Sequence, residues 1–222
     1  MLKKIWRDLR SASSRPRQAE REQTKYESVW KDEEYRKFSP GLRSFHVFDL
    51  PTRLRNAGVK TVLDAGCGSG KLMKALIEAS PPVFEVRGLD IAANCLDAYF
   101  QGRENQFLDI GCLWDAAAYT RIFDAVICVD VLEHIPTDRI PAVLDNLRRS
   151  ASKYCYFGIA LHHDHYGPKL LGEPLHLTVQ EPSWWFTAIE RAGFPAPSEH
   201  VIERADDGRL MWLHVFMKID CV

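Results

Sequence analysis

Two groups of residues have types and spacings suited to chemistry. The first is Thr61-Val62-Leu63-Asp64-Ala65-Gly66-Cys67-Gly68-Ser69-Gly70-Lys71-Leu72, an apolar run that ends in an acid and three alternating glycines. Glycine lets a backbone turn tightly and approach a ligand, and the helix that follows presents unpaired N–H groups to a polar or anionic group. A strand turning into a helix in this way is a landing site for a nucleotide-like ligand. The second group is Leu161-His162-His163-Asp164-His165-Tyr166-Gly167, with His176 shortly after. Imidazoles beside a carboxylate can take up and pass on protons near neutral pH.

These groups need a frame that brings them together. From residue 59 onward, strand patterns at 60–64, 84–89, 105–109, 124–129 and 154–160 alternate with helical patterns at about 70–79, 92–100 and 138–150. Such alternation implies an α/β fold, a parallel sheet covered on both faces. Ile140, Val143, Leu144 and Leu147 make the stripe of one helix, and Glu181-Pro182, Trp185, Ile189 and Gly193 delimit another. Apolar stretches at 199–203 and 209–218 around Asp206-Asp207-Gly208 predict a closing hairpin. In open sheets of this class ligands bind at the carboxyl ends of the strands. The histidine run leaves the fifth strand at that edge.

Upstream, Tyr26, Trp30, Tyr35 and Phe38 recur as on one helical face. Ser39-Pro40-Gly41 would cap a second helix with Leu42, Phe45 and Phe48 facing inward, broken or kinked at Pro51 before Gly58 closes the segment. The organisation expected is a basic arm over 1–24, a helical extension and lid over 25–58, and a ligand-binding domain over 59–222. Residues 1–10 place Leu2, Ile5, Trp6 and Leu9 at helical spacing among basic residues, a pattern for weak contact with a membrane surface, and 11–24 read as a flexible tether.

At 46% hydrophobic content the chain can bury a full core. No apolar run approaches the roughly 20 residues of a membrane-spanning helix, and residues 1–30 lack a secretory signal's apolar block, so the expected location is cytoplasmic, with peripheral membrane contact at most. The six cysteines include no C-x-x-C pair and read as reduced core residues. Residues 1–21 carry seven Lys/Arg against Asp8 and Glu20, which leaves the body acidic and argues against a nucleic-acid partner.

Spacing narrows the ligand. A Walker loop needs four residues between its first glycine and Gly-Lys, then Ser or Thr; here three separate Gly66 from Gly70, and Leu72 follows Lys71. A dinucleotide fold wants G-x-G-x-x-G, whereas this turn is G-x-G-x-G with Asp64 just before it. An acid there repels a pyrophosphate and suits an ammonium group or a hydrogen-bond donor. S-adenosylmethionine carries an amino group and a sulfonium, and no phosphate.

At this point the sequence resembles the class I S-adenosylmethionine-dependent methyltransferases. Val62-Leu63-Asp64-Ala65-Gly66-Cys67-Gly68-Ser69-Gly70 is similar to their first motif, Gly88-Leu89-Asp90-Ile91 to the acid that ends the second strand, and Phe107-Leu108-Asp109-Ile110 to the third-strand motif. Phe123-Asp124-Ala125-Val126-Ile127-Cys128-Val129-Asp130-Val131-Leu132-Glu133-His134-Ile135-Pro136 resembles the fourth strand and turn of the small-molecule branch. The resemblance implies a Rossmann-like, mostly parallel seven-stranded sheet with helices on both faces and a closing C-terminal hairpin. It further implies a cofactor site of Asp64, Gly66, Cys67, Gly68, Gly70, Asp90, Ile91, Asp109, Ile110 and Asp130. In that scheme Asp90 takes the ribose hydroxyls and Asp109 the adenine amino group, and the product is S-adenosylhomocysteine.

For the acceptor, the resemblance implies O-methylation of a small molecule, a sugar or a glycan, the last presented on a lipid. Deprotonation of a hydroxyl makes His163, His165 and His176 candidates for a general base, with His134 a weaker one, and Asp164 a residue to orient it. The contiguous H-H-D-H run has no standard ligand spacing, and no metal is assigned. A nicotinamide-dependent oxidoreductase and a noncatalytic cofactor-binding domain are the alternatives.

Overall fold

The computed structural model describes residues 18–37, 42, 46–79 and 84–219. The basic stretch 1–10, the first part of the tether, the Ser39-Pro40-Gly41 cap, Phe38, Phe45 and Cys221 lie outside the described residues.

Seven runs rich in branched and aromatic residues pair into one sheet: β1 Thr61–Ala65, β2 Glu85–Asp90, β3 Leu108–Ile110, β4 Phe123–Val129, β5 Ala151–Ala160, β6 Glu199–Arg204 and β7 Leu210–Lys218. Their order is β3-β2-β1-β4-β5-β7-β6. The first five run parallel, so their apolar residues are buried from both sides. β7 lies antiparallel between β5 and β6, and the expected hairpin turns at Gly208, whose φ is 84°.

Each face has its own core. Val143, Leu144 and Leu147 from the helix Ile140–Ser150 pack on one face with Trp185 and Ile189 from the helix Pro182–Arg191. On the other, Leu54 from Leu50–Asn56 and Met73 and Leu76 from Lys71–Glu78 join Trp30 and Phe100.

The structure departs from the sequence pattern in three places. The helix expected over 92–100 is a single 3₁₀ turn, Ala98–Phe100. The Arg36 guanidinium donates to the carbonyls of Asn94, Cys95 and Leu96, which a helix would have used itself. The strand expected over 105–109 starts late, because Glu104–Phe107 coil into one helical turn, closed by the Gly102 N–H on the Glu104 carboxylate. Residues 18–24 are not a tether. They belong to a helix over 18–29, and Gln18 Oε1 accepts two N–H groups from Arg139, 3.0 and 2.7 Å away.

Gly66 has φ 78°, and a Cβ there would lie 2.3 Å from Val131 Cγ2. Gly66→Ala should therefore cost about 1–3 kcal/mol in urea denaturation, with part of the loss recovered when Val131→Ala is added. Unchanged stability would show that the turn is not so constrained.

Candidate active site

The glycine turn is built against the end of β2. The N–H groups of Gly66 and Cys67 donate to the Leu89 carbonyl at 2.7 and 3.3 Å, and the Gly68 N–H donates to Asp90 Oδ2 at 2.9 Å. The other oxygen of Asp90 accepts the Ala92 N–H at 2.9 Å. Four lone pairs exceed the backbone donors around it, so the carboxylate keeps acceptor capacity. Burial pushes the Asp90 carboxyl up, with the backbone N–H groups of Ala92, Gly68 and Ile91 working against it. Asp64, 3% exposed at the end of β1, has an Oδ2 atom with no hydrogen-bond partner. Burial, then the charge of Asp90, pushes its carboxyl up to about 7. Two acids with unfilled acceptor capacity and a glycine cradle fit an amine and a vicinal diol.

Above this turn lies a narrow, roofed cavity of about 90 Å³. Gly66, Gly68, Asp90 and Ile91 form its floor, and Cys112, Leu113 and Trp114, just past β3, form one wall. Asp130, Val131, His134 and Ile135, leaving β4, close the far end. Glu22, Tyr26, Trp30 and Tyr35 from the N-terminal extension roof it.

Of the ten expected cofactor residues, Gly66, Gly68, Asp90, Ile91 and Asp130 reach the cavity. Asp64 lies buried at the strand end before the turn. Cys67 turns into the core, its Sγ in the space beside Gly88, where a Cβ would meet it at 2.6 Å. Gly70 faces Phe100 instead. Asp109 and Ile110 are not on the cavity. Asp109 is ion-paired with Arg87 (Nε–Oδ2 2.8 Å), which holds its carboxyl below the usual range, and Ile110 is 57% exposed. The acid was sought on β3, whereas the chain meets the cavity only beyond it, at Cys112–Trp114; the apolar Leu113-Trp114 pair is the signal that marks this wall.

The histidines are also redistributed. His163 and His165 are exposed and do not line the cavity. Asp164 orders the loop rather than a base. Its Oδ1 accepts the Gly167 N–H, and its Oδ2 accepts those of Leu175 and His176. Burial opposes its charge, but those three N–H groups outweigh burial and keep the carboxyl low. His134 is the histidine on the cavity, its Nδ1 3.0 Å from the Tyr26 hydroxyl, and the ring of His176 packs edge-on against it at 4.7 Å. Burial, then His176, pushes His134 down to about 3, and burial also lowers His176. Both rings are neutral at physiological pH. Glu133, fully buried beside them, was missed because its place in an apolar turn reads as solvent-facing.

A parallel sheet with one antiparallel strand inserted before its edge, and a cavity over the carboxyl ends of β1, β2 and β4, defines a Rossmann-like domain for an adenosyl ligand. The model of a methyltransferase domain matches residues 35–205, and the chain belongs to that family. It is similar to a magnesium-protoporphyrin O-methyltransferase of Synechocystis, 30% identical over 145 residues, 62% of this chain and 53% of that protein. It is also similar to a ubiquinone biosynthesis O-methyltransferase of Thiobacillus denitrificans, 34% identical over 92 residues, 39% of this chain and 38% of that protein. The chain thus spans about half or less of the curated relatives it matches. Among solved structures, the Synechocystis magnesium-protoporphyrin IX methyltransferase with bound S-adenosylhomocysteine shares the fold, with a TM-score of 0.59 and 18% identity over 80% of this chain and 83% of that one. The oxidoreductase alternative finds no support among these relatives.

The raised carboxyl of Asp64 makes ligand binding pH-dependent. A bound ammonium group favours the ionised acid, so binding below pH 7 releases a proton. The affinity for S-adenosylhomocysteine should rise with pH by up to ~10-fold per unit until it levels at about pH 7. Calorimetry in buffers of different ionisation enthalpy measures the proton, and Asp64→Asn should abolish the slope.

Proposed function

We propose that the chain is an S-adenosylmethionine-dependent methyltransferase acting on an oxygen of a small molecule. One observation carries this reading: a single cavity has Asp90 and the glycine turn at one end and His134 with Asp130 at the other. When bound, the cofactor supplies a methyl group on a positively charged sulfur. The chain's part is to hold the two reactants in line, since displacement at a methyl carbon depends mainly on alignment.

In this reading Asp90 would accept from the ribose hydroxyls with its remaining acceptor capacity, Asp64 would take the amine, and Ile91, Leu113 and Trp114 would flank the adenine ring. His134 and His176 face the acceptor. As neutral rings they orient its hydroxyl for the transfer without holding charge. The aromatic roof of Tyr26, Trp30 and Tyr35 favours a ring-bearing acceptor and keeps water from the transfer. The O-methyltransferases to which the chain is similar support oxygen as the methylated atom.

Binding and turnover separate the roles. Asp90→Ala should weaken S-adenosylhomocysteine binding by about 1–3 kcal/mol, and an unchanged affinity removes the ribose assignment. His134→Gln should lower the rate of methyl transfer from labelled cofactor into a small-molecule extract while leaving cofactor affinity in place. Tight binding of NADH with no binding of S-adenosylhomocysteine would sink the whole reading.

A further inference from the structure

At the acceptor end of the cavity, Asp130, Glu133, His134 and His176 each offer one ligand-type atom, and these atoms all lie within 4.8 Å of one another. Two segments distant in sequence supply them. They are locked together by the N–H groups of Leu177 and Thr178, which both donate to the Glu133 carbonyl at 2.7 and 2.8 Å. The grouping is therefore built into the backbone.

Three details point to a cation. Glu133 has no exposed surface; its Oε1 accepts the Ala160 N–H at 2.7 Å, and its Oε2 has no hydrogen-bond donor. Asp130 stands beside it in the left-handed region, at φ 58°. Two acids in such a place need a proton or a cation between them. The third detail is the tautomer of His176. Its Nδ1 faces the His162 carbonyl at 2.6 Å and must donate to it, which leaves the lone pair on Nε2, as in a histidine oriented to ligate a metal.

We propose that Asp130, Glu133, His134 and His176 form a divalent-cation site of the Mn²⁺, Fe²⁺ or Zn²⁺ class. Two carboxylate oxygens and two neutral imidazole nitrogens suit those ions better than Mg²⁺ or Ca²⁺, which take oxygen ligands. The site itself stands on geometry; its role rests on the methyl-transfer reading. An acceptor hydroxyl held there ionises at lower pH and gives its proton to water. The oxygen's electron pair then forms the bond to the methyl carbon, the carbon–sulfur bond breaks, and its electron pair returns to sulfur, leaving the neutral thioether.

The test uses the full chain, freed of metal by chelation. Titration with Mn²⁺, followed by loss of the free-ion paramagnetic resonance signal, and with Zn²⁺ by calorimetry, should show one ion per chain. The affinity should fall at least ~10-fold in His176→Ala and in Asp130→Asn, while His176→Ala still binds S-adenosylhomocysteine. Glu133→Gln should lose the ion as well; if it fails to fold, as circular dichroism would reveal, the other two variants decide. A folded chain that binds neither ion, or an affinity undiminished in both His176→Ala and Asp130→Asn, overturns the site. Metal binding by a chain that does not bind S-adenosylhomocysteine overturns the methyl-transfer reading and supports the site.

Discussion

The structure is organised around carboxyl groups that are poorly hydrated at the carboxyl edge of the sheet. Asp64 and Asp90 end β1 and β2, and Asp130 and Glu133 follow β4, all within one stretch of that edge. Removing such a group from water costs several kcal/mol unless donors replace the water. The chain replaces only part of it. Asp90 receives the backbone N–H groups of Gly68, Ile91 and Ala92 and Glu133 those of Ala160 and its own residue, while one oxygen each of Asp64 and Glu133 receives none. This unfilled acceptor capacity defines what the cavity can hold: hydroxyls, an ammonium group, or a cation. A phosphate-bearing ligand would meet the same acids as repulsion. The glycine turn has the complementary task of carrying N–H groups close to the acids without side chains of its own.

The N-terminal extension is bound to the same edge by polar contacts as well as by the apolar packing of Trp30, Phe48, Leu50 and Leu54. Arg36 holds the carbonyls of 94–96, Asn94 Nδ2 donates to the Glu27 carbonyl, and Lys71 Nζ donates to the carbonyls of Arg36 and Lys37. Lys71 opens the helix that follows the glycine turn, so the roof and the floor of the cavity share one network. The same contacts explain why the chain over 92–97 is not helical. Its carbonyls face the extension, and local propensity yields to that tertiary demand.

What could be read from the sequence divides along the same physical line. The strands, the two-faced core and the C-terminal hairpin follow from period-two and period-3.6 patterns, because burial acts on every residue of an element. The floor of the site follows from glycines with positive φ, which few other residues tolerate. Asp109 misled because strand position alone does not say which side of the sheet edge an acid faces; Arg87 on β2 captures it. The histidine run pointed to the right edge but to the wrong rings. His163 and His165 are close in sequence to Asp164, yet Asp164 is occupied by three backbone N–H groups, and the partner of His176 is His134, on another strand's turn. Pairings of that kind arise from the fold and leave no local spacing to find.

The two ends of the cavity therefore answer to different constraints. At the donor end the contacts come largely from backbone, a turn whose glycines cannot be replaced without collision with Val131 or Trp30. At the acceptor end they come from side chains, those of Asp130, His134 and His176 below and Tyr26, Trp30 and Tyr35 above. Side chains can change without loss of the fold, whereas the turn cannot. A domain arranged in this way keeps its cofactor and varies its acceptor. In the proposed reading, the contact of Tyr26 with His134 joins the roof to the group that would meet the acceptor. Selection of the acceptor and alignment of the transfer then depend on the same few atoms.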